Sequence, residues 1–61
     1  MQTGKPIIVL VDDSAAMRAF FEQVAAEADL AFHAYDTAEA ALAFLGTRQP
    51  DLLFINVMMP N

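Results

Sequence analysis

Cysteine is absent from this 61-residue sequence, so neither a disulfide framework nor a thiolate metal site can hold the fold together. A cysteine-free chain suits the reducing cytoplasm, which is the expected location. Basic residues are scarce. Lys5, Arg18 and Arg48 are scattered among eight acidic residues, and the net charge is −5. No basic patch exists to neutralise phosphates, which argues against direct nucleic-acid binding. Long apolar runs are missing too. Ile7 to Val11 falls far short of the roughly 20 residues that a membrane-spanning helix needs. Asp12 and Asp13 interrupt that run and no small-residue cleavage site follows, which argues against a signal peptide. Gly4 and Gly46 stand alone, so there is no glycine-rich phosphate loop. His33 has no second histidine to work with, and no Ser-His-Asp arrangement is visible. An enzyme is not expected.

What is present is apolar. The hydrophobic fraction is 57%, above the roughly 45–50% of ordinary globular chains. A chain of about 60 residues buries only about 60% of the surface it exposes when unfolded. A marginal fold with a surface that expects to be covered follows from those two facts.

The apolar pattern alternates between two periods. Ile7-Ile8-Val9-Leu10-Val11 is a continuous β-branched and apolar run, as in a strand buried on both faces of a parallel sheet. Asp12-Asp13-Ser14 ends it with turn and N-cap chemistry. Met17, Phe20, Phe21, Val24, Ala25 and Ala28 then fall at the spacing of one buried helix face, which stops near Asp29. Ala31 to Tyr35 reads as a short edge strand carrying a partly exposed His33. Asp36-Thr37-Ala38-Glu39 matches a capping box. Ala38, Ala41, Leu42 and Leu45 form the stripe of a second helix, with Phe44 off that stripe and Gly46 at the C-cap glycine position. Phe20, Phe21, Phe44 and Phe54 read as packing residues. Leu52-Leu53-Phe54-Ile55 is a third apolar strand, closed by Asn56.

Strand, helix, strand, helix, strand is half of a doubly wound α/β sheet, with parallel strands joined by right-handed crossovers. In such sheets the working groups gather at the carboxyl ends of the strands. Asp12-Asp13 ends the first strand and Asn56 ends the third, so neighbouring strands would open both into one crevice. Adjacent carboxylates repel unless something positive lies between them. A hard cation such as Mg²⁺ resolves that repulsion. The plainer alternative is that both aspartates cap the first helix and favour its positive end.

Val11-Asp12-Asp13-Ser14 resembles the acidic-pair signature of response-regulator receiver domains. Pro50-Asp51-Leu52-Leu53-Phe54-Ile55, followed by Asn56-Val57-Met58-Met59-Pro60, resembles the segment around that family's phosphoacceptor. The resemblance extends over essentially the whole chain, and the two motifs stand at the spacing of the family. It implies a flavodoxin-like fold, strand order 2-1-3, with the two helices on opposite faces. It further implies that residues 1–61 are the N-terminal part of a receiver, truncated before the family's later strands and helices. Asp12 and Asp13 would hold Mg²⁺, with the backbone carbonyl of Met58 as a further oxygen ligand, and Pro60 would shape the loop. Position 56 would take the phosphoryl group from a phosphohistidine on a histidine kinase or phosphotransfer domain.

Asn56 departs from that pattern, because an amide oxygen is too weak a nucleophile to attack phosphorus. One negative charge is lost as well, so Mg²⁺ is expected to bind weakly. The hydroxyl residue and lysine that contact the phosphoryl group in the family have no counterpart here; Lys5 precedes the first strand, at the far end of the sheet. The expected function is therefore phosphorelay reception with the acceptor disabled. A pseudo-receiver acting by protein contact, and a fragment suited to folding or self-assembly, are the alternatives. The run Leu52 to Ile55 carries no lysine or proline to protect an open edge, which predicts a homodimer formed through the third strand.

Overall fold

Strand β1, Ile7–Val11, is the centre of the structure, a computed structural model that describes residues 4–56. Its branched side chains suit an extended backbone with neighbours on both sides. Helix α1 (Ala15–Glu27), strand β2 (Ala31–Tyr35), helix α2 (Ala38–Leu45) and strand β3 (Leu52–Ile55) follow. The three strands form one parallel sheet in the order β2-β1-β3. Val9 lies between His33 of β2 and Leu53 of β3, and Val11 lies between Tyr35 and Ile55. This is the expected flavodoxin-like βαβαβ arrangement.

Side chains alternate across a strand, and each face of β1 carries one helix. Val9 and Val11 pack with Ala41, Phe44 and Leu45 of α2. Ile8 shares the other face with Phe32, Leu52 and Phe54, beneath Phe21 and Ala25 of α1. The rings of Phe21 and Phe54 stand 5.7 Å apart. Burial is concentrated in β1. Among the described residues, the buried apolar side chains are Ile8, Val9, Leu10, Val11, Ala25 and Ala41.

Capping explains where the helices start and stop. Ser14 is the N-cap of α1, and its hydroxyl accepts from the Met17 N–H at 3.2 Å. At the other end Leu30 N–H donates to the Ala25 carbonyl and Asp29 N–H to the Ala26 carbonyl. That pair of bonds is a Schellman motif, and it requires a left-handed residue, here Asp29 at φ 60°. Lys5 pairs with the Asp29 carboxylate at 3.2 Å.

Several sequence expectations need correction. The cap of α2 is Thr37, whose hydroxyl accepts from Ala40 N–H, so Glu39 sits too early to close a capping box. Gly46 is the C-cap of α2, as the sequence suggests, although it holds the right-handed helical conformation at φ −69°. On α1 the expected face is only half covered. Ala25 is buried and Phe21 partly so, whereas Phe20 is 61% exposed and Met17, Val24 and Ala28 also face solvent. On α2 the buried side is Ala41, Phe44 and Leu45, while Leu42 is 63% exposed and Ala38 is exposed too. Three strands are too narrow to cover the whole apolar stripe of either helix. All four residues of β3 are exposed for the same reason: β1 pairs with one edge only.

Candidate functional site

The crevice at the carboxyl ends of β1 and β3 is built by strand registry. Val11 pairs with Ile55, and the Asn56 N–H then donates to the Val11 carbonyl at 2.9 Å. This brings residues 12 and 56 side by side. Asn56 Nδ2 donates to Asp12 Oδ1 at 3.2 Å, across 44 residues of sequence.

Asp12 is the most constrained residue of the site. It is 7% exposed, and it is the one buried polar or charged residue among those described. A buried carboxylate must be compensated by hydrogen bonds or charge. Its Oδ1 accepts from the Ser14 N–H at 2.9 Å as well as from Asn56. Its N–H donates to the Tyr35 carbonyl at 2.9 Å, extending the β1–β2 ladder. Its carbonyl accepts from Arg18 Nη1 at 2.8 Å. Helix α1 begins three residues later, so its positive end adds a favourable field. Asp13, by contrast, is exposed.

The two readings of the acidic pair are thus separated residue by residue. Neither aspartate caps α1; Ser14 does. Asp12 closes an Asx-type turn onto Ser14, while Asp13 faces outward. The structure brings Asp12 and Asn56 together. Met58 and Pro60 lie outside the described residues. Among the described residues, no group of three His, Cys, Asp or Glu side chains converges to hold a metal ion. The oxygens of Asp12 and Asp13 have the hard-donor chemistry that Mg²⁺ accepts. Yet Asn56 turns an N–H donor, not an oxygen, toward the shared space. The donor set therefore fits the ion only in part.

Arg18 falls off the apolar stripe of α1 yet belongs to this site. It is half-buried and clasps the Asp12 backbone. Its spacing of six residues from Asp12, one turn into a capped helix, was the available signal. His33 was expected on an edge strand and half-exposed, and it is; its ring also stacks on Phe44, with centroids 4.4 Å apart. That stack draws Phe44 onto the core side of α2, where the helical stripe alone did not put it. Lys5, paired with Asp29, stands before β1 at the opposite end of the sheet from the crevice.

Among the described residues, no helix is long and apolar enough to cross a membrane. No curated protein and no solved structure matches the chain. The family model of the response regulator receiver domain matches residues 8–61. That span holds β1 from Ile8 onward, β2, β3 and both helices, together with the Asp12–Asn56 crevice, and the chain belongs to the response regulator receiver domain family.

Proposed function

We propose that this chain is a receiver module whose phosphoryl-accepting position is disabled. Receivers as a family serve phosphorelay signalling and meet histidine kinases or phosphotransfer proteins. The supporting observation is the pairing of Asn56 with Asp12 at the mouth of the sheet. Phosphoryl transfer to a receiver needs a carboxylate oxygen to attack phosphorus as the donor's bond breaks. An amide at that place offers an N–H donor and a weakly nucleophilic oxygen. No acyl phosphate forms, whatever the approach geometry. The module then acts by contact with a cytoplasmic kinase or transfer domain, without receiving its phosphoryl group.

Asp12 and Asp13 would hold Mg²⁺ weakly, in the millimolar range or poorer, with the Met58 carbonyl as a further ligand and Pro60 shaping the loop. When bound, the ion would neutralise the anionic oxygens gathered in the crevice. Incubation with acetyl phosphate and Mg²⁺, followed by intact-mass measurement, tests the central claim. The expected result is an unchanged mass. A gain of one phosphoryl group mapped to Asn56 or its neighbours would overturn it.

A second reading has its own observation. The outer edge of β3 has no partner strand among the described residues, and its four side chains are apolar and exposed. Self-association through β3 would pair that edge and cover part of the apolar area.

A further inference from the structure

We propose that Asn56 serves as a resident substitute for the cation, so that the crevice is closed and stable without metal. The inference rests on the reading of position 56 as the disabled acceptor. It goes further by assigning the amide a positive task. A buried Asp12 carboxylate has to be compensated, and every compensating group is supplied by this chain. Ser14 N–H and Asn56 Nδ2 both donate to Oδ1, at 2.9 and 3.2 Å. Arg18 brings its guanidinium to the carbonyl of the same residue at 2.8 Å. Among the described residues, no buried side-chain nitrogen or oxygen lacks a hydrogen-bond partner.

The identity of residue 56 decides the sign of the interaction. With an amide, the contact across β1 and β3 is a donor meeting an anionic acceptor, which is attractive in this half-buried place. With a carboxylate, an anionic oxygen would stand about where Nδ2 now stands. Two carboxylates at that range repel each other unless a cation lies between them. Asn56 therefore converts a junction that would need an ion into one that fastens itself. A Mg²⁺ ion entering the shared space would have to displace the Asn56 hydrogen bond first. The amide both lowers affinity for the ion and removes the need for it.

Thermal melts of the full chain, in EDTA and in saturating MgCl₂, test this together with the Asn56→Asp and Asn56→Ala variants. The unsubstituted chain is expected to rise only slightly in MgCl₂, as a site of millimolar affinity requires. Asn56→Asp is expected to melt lower than the unsubstituted chain in EDTA and to rise much more on adding Mg²⁺. Asn56→Ala is expected to melt lower than the unsubstituted chain in EDTA, with a smaller response to the ion than Asn56→Asp. An unsubstituted chain whose midpoint rises with Mg²⁺ as much as that of Asn56→Asp would overturn the proposal. Should a variant fail to fold, NMR of the natural chain decides. The Asn56 side-chain amide protons are expected to exchange slowly in EDTA and to hold their shifts at micromolar Mg²⁺. Rapid exchange, or shifts at micromolar Mg²⁺, would count against the substitute role. None of these readouts depends on phosphorylation, so the acetyl phosphate experiment can fail while this proposal stands, and the reverse.

Discussion

Asp51 and Ile7 hold each other by two hydrogen bonds at the start of their strands. The Asp51 carboxylate accepts from the Ile7 N–H at 2.6 Å, and the Asp51 N–H donates to the Ile7 carbonyl at 2.8 Å. Asn56 and Asp12 make the matching junction at the other end. Strand β3 is four residues long and exposed along its whole length, so these two end junctions add to the Phe21–Phe54 contact in holding its register on β1. A one-residue slip would turn every β3 side chain to the opposite face. Asp51→Ala is expected to lose a charge-assisted bond and about 1 kcal/mol of stability. Asp51→Asn, which keeps an acceptor, should lose less. Urea midpoints compare the two, and equal stability of all three chains would show that the pair does not hold the register.

Ala41 packs with Val9 and Val11 where α2 meets the sheet, and all three side chains are almost wholly buried. A larger side chain has nowhere to go without moving the helix. Ala41→Leu is expected to cost about 1–3 kcal/mol by overpacking. Leu42→Ala, one position along and on the wet side, should leave the melt nearly unchanged. The reverse order of effects would mean that α2 is rotated from the orientation described here.

Asp13 is exposed, while Asp12 Oδ1 is already engaged twice. The weak Mg²⁺ affinity proposed for this crevice should therefore depend on Asp13. Asp13→Ala is expected to abolish the amide shifts seen on Mg²⁺ titration near residues 12, 13 and 56–58. Shifts that persist in the variant, or that fall elsewhere in the natural chain, would remove Asp13 from the ligand set.

Element order was legible from strong local signals, whereas strand order, and with it the convergence of residues 12 and 56, came from the resemblance to receiver domains. Continuous apolar runs mark the strands, Ser14 and the break at Asp29 bound the first helix, and parallel crossovers leave few topologies. What periodicity could not supply was which part of each apolar stripe would be covered. Phe20 and Leu42 carry the helical spacing of buried residues, yet a sheet of three strands does not reach them. Phe44 lies off the stripe and is drawn inward by His33 and Tyr35, ring contacts that depend on the β1–β2 register. Arg18 was hidden for a similar reason: its partner is a backbone carbonyl in the preceding turn, which no side-chain pattern reveals. Asn56 was recognised as a departure from the family motif, but its bond to Asp12 needed the three-dimensional arrangement.

Strand β3 leads to the last expectation, which concerns self-association. Leu52, Leu53, Phe54 and Ile55 are 42–54% exposed, and β1 occupies one edge of the strand. Full burial of each such side chain is worth about 1.5–3 kcal/mol, and roughly half of that remains to be gained at each. The sum is comparable to the stability of a small fold, at the low end of about 5–15 kcal/mol. No lysine or proline within the strand guards the open edge. A two-fold axis would pair β3 with its mate in an antiparallel fashion and join two sheets of three strands into one of six. The weight-average mass from sedimentation is therefore expected to fall from dimer toward monomer on dilution, with the melting midpoint falling alongside it. Leu53→Lys places a charge on the strand and should move that transition to higher concentration. A monomer with a cooperative melt that ignores concentration would exclude pairing through β3. A transition that Leu53→Lys leaves unmoved would transfer the contact to another surface, with the exposed side of α1 around Phe20 the next to test.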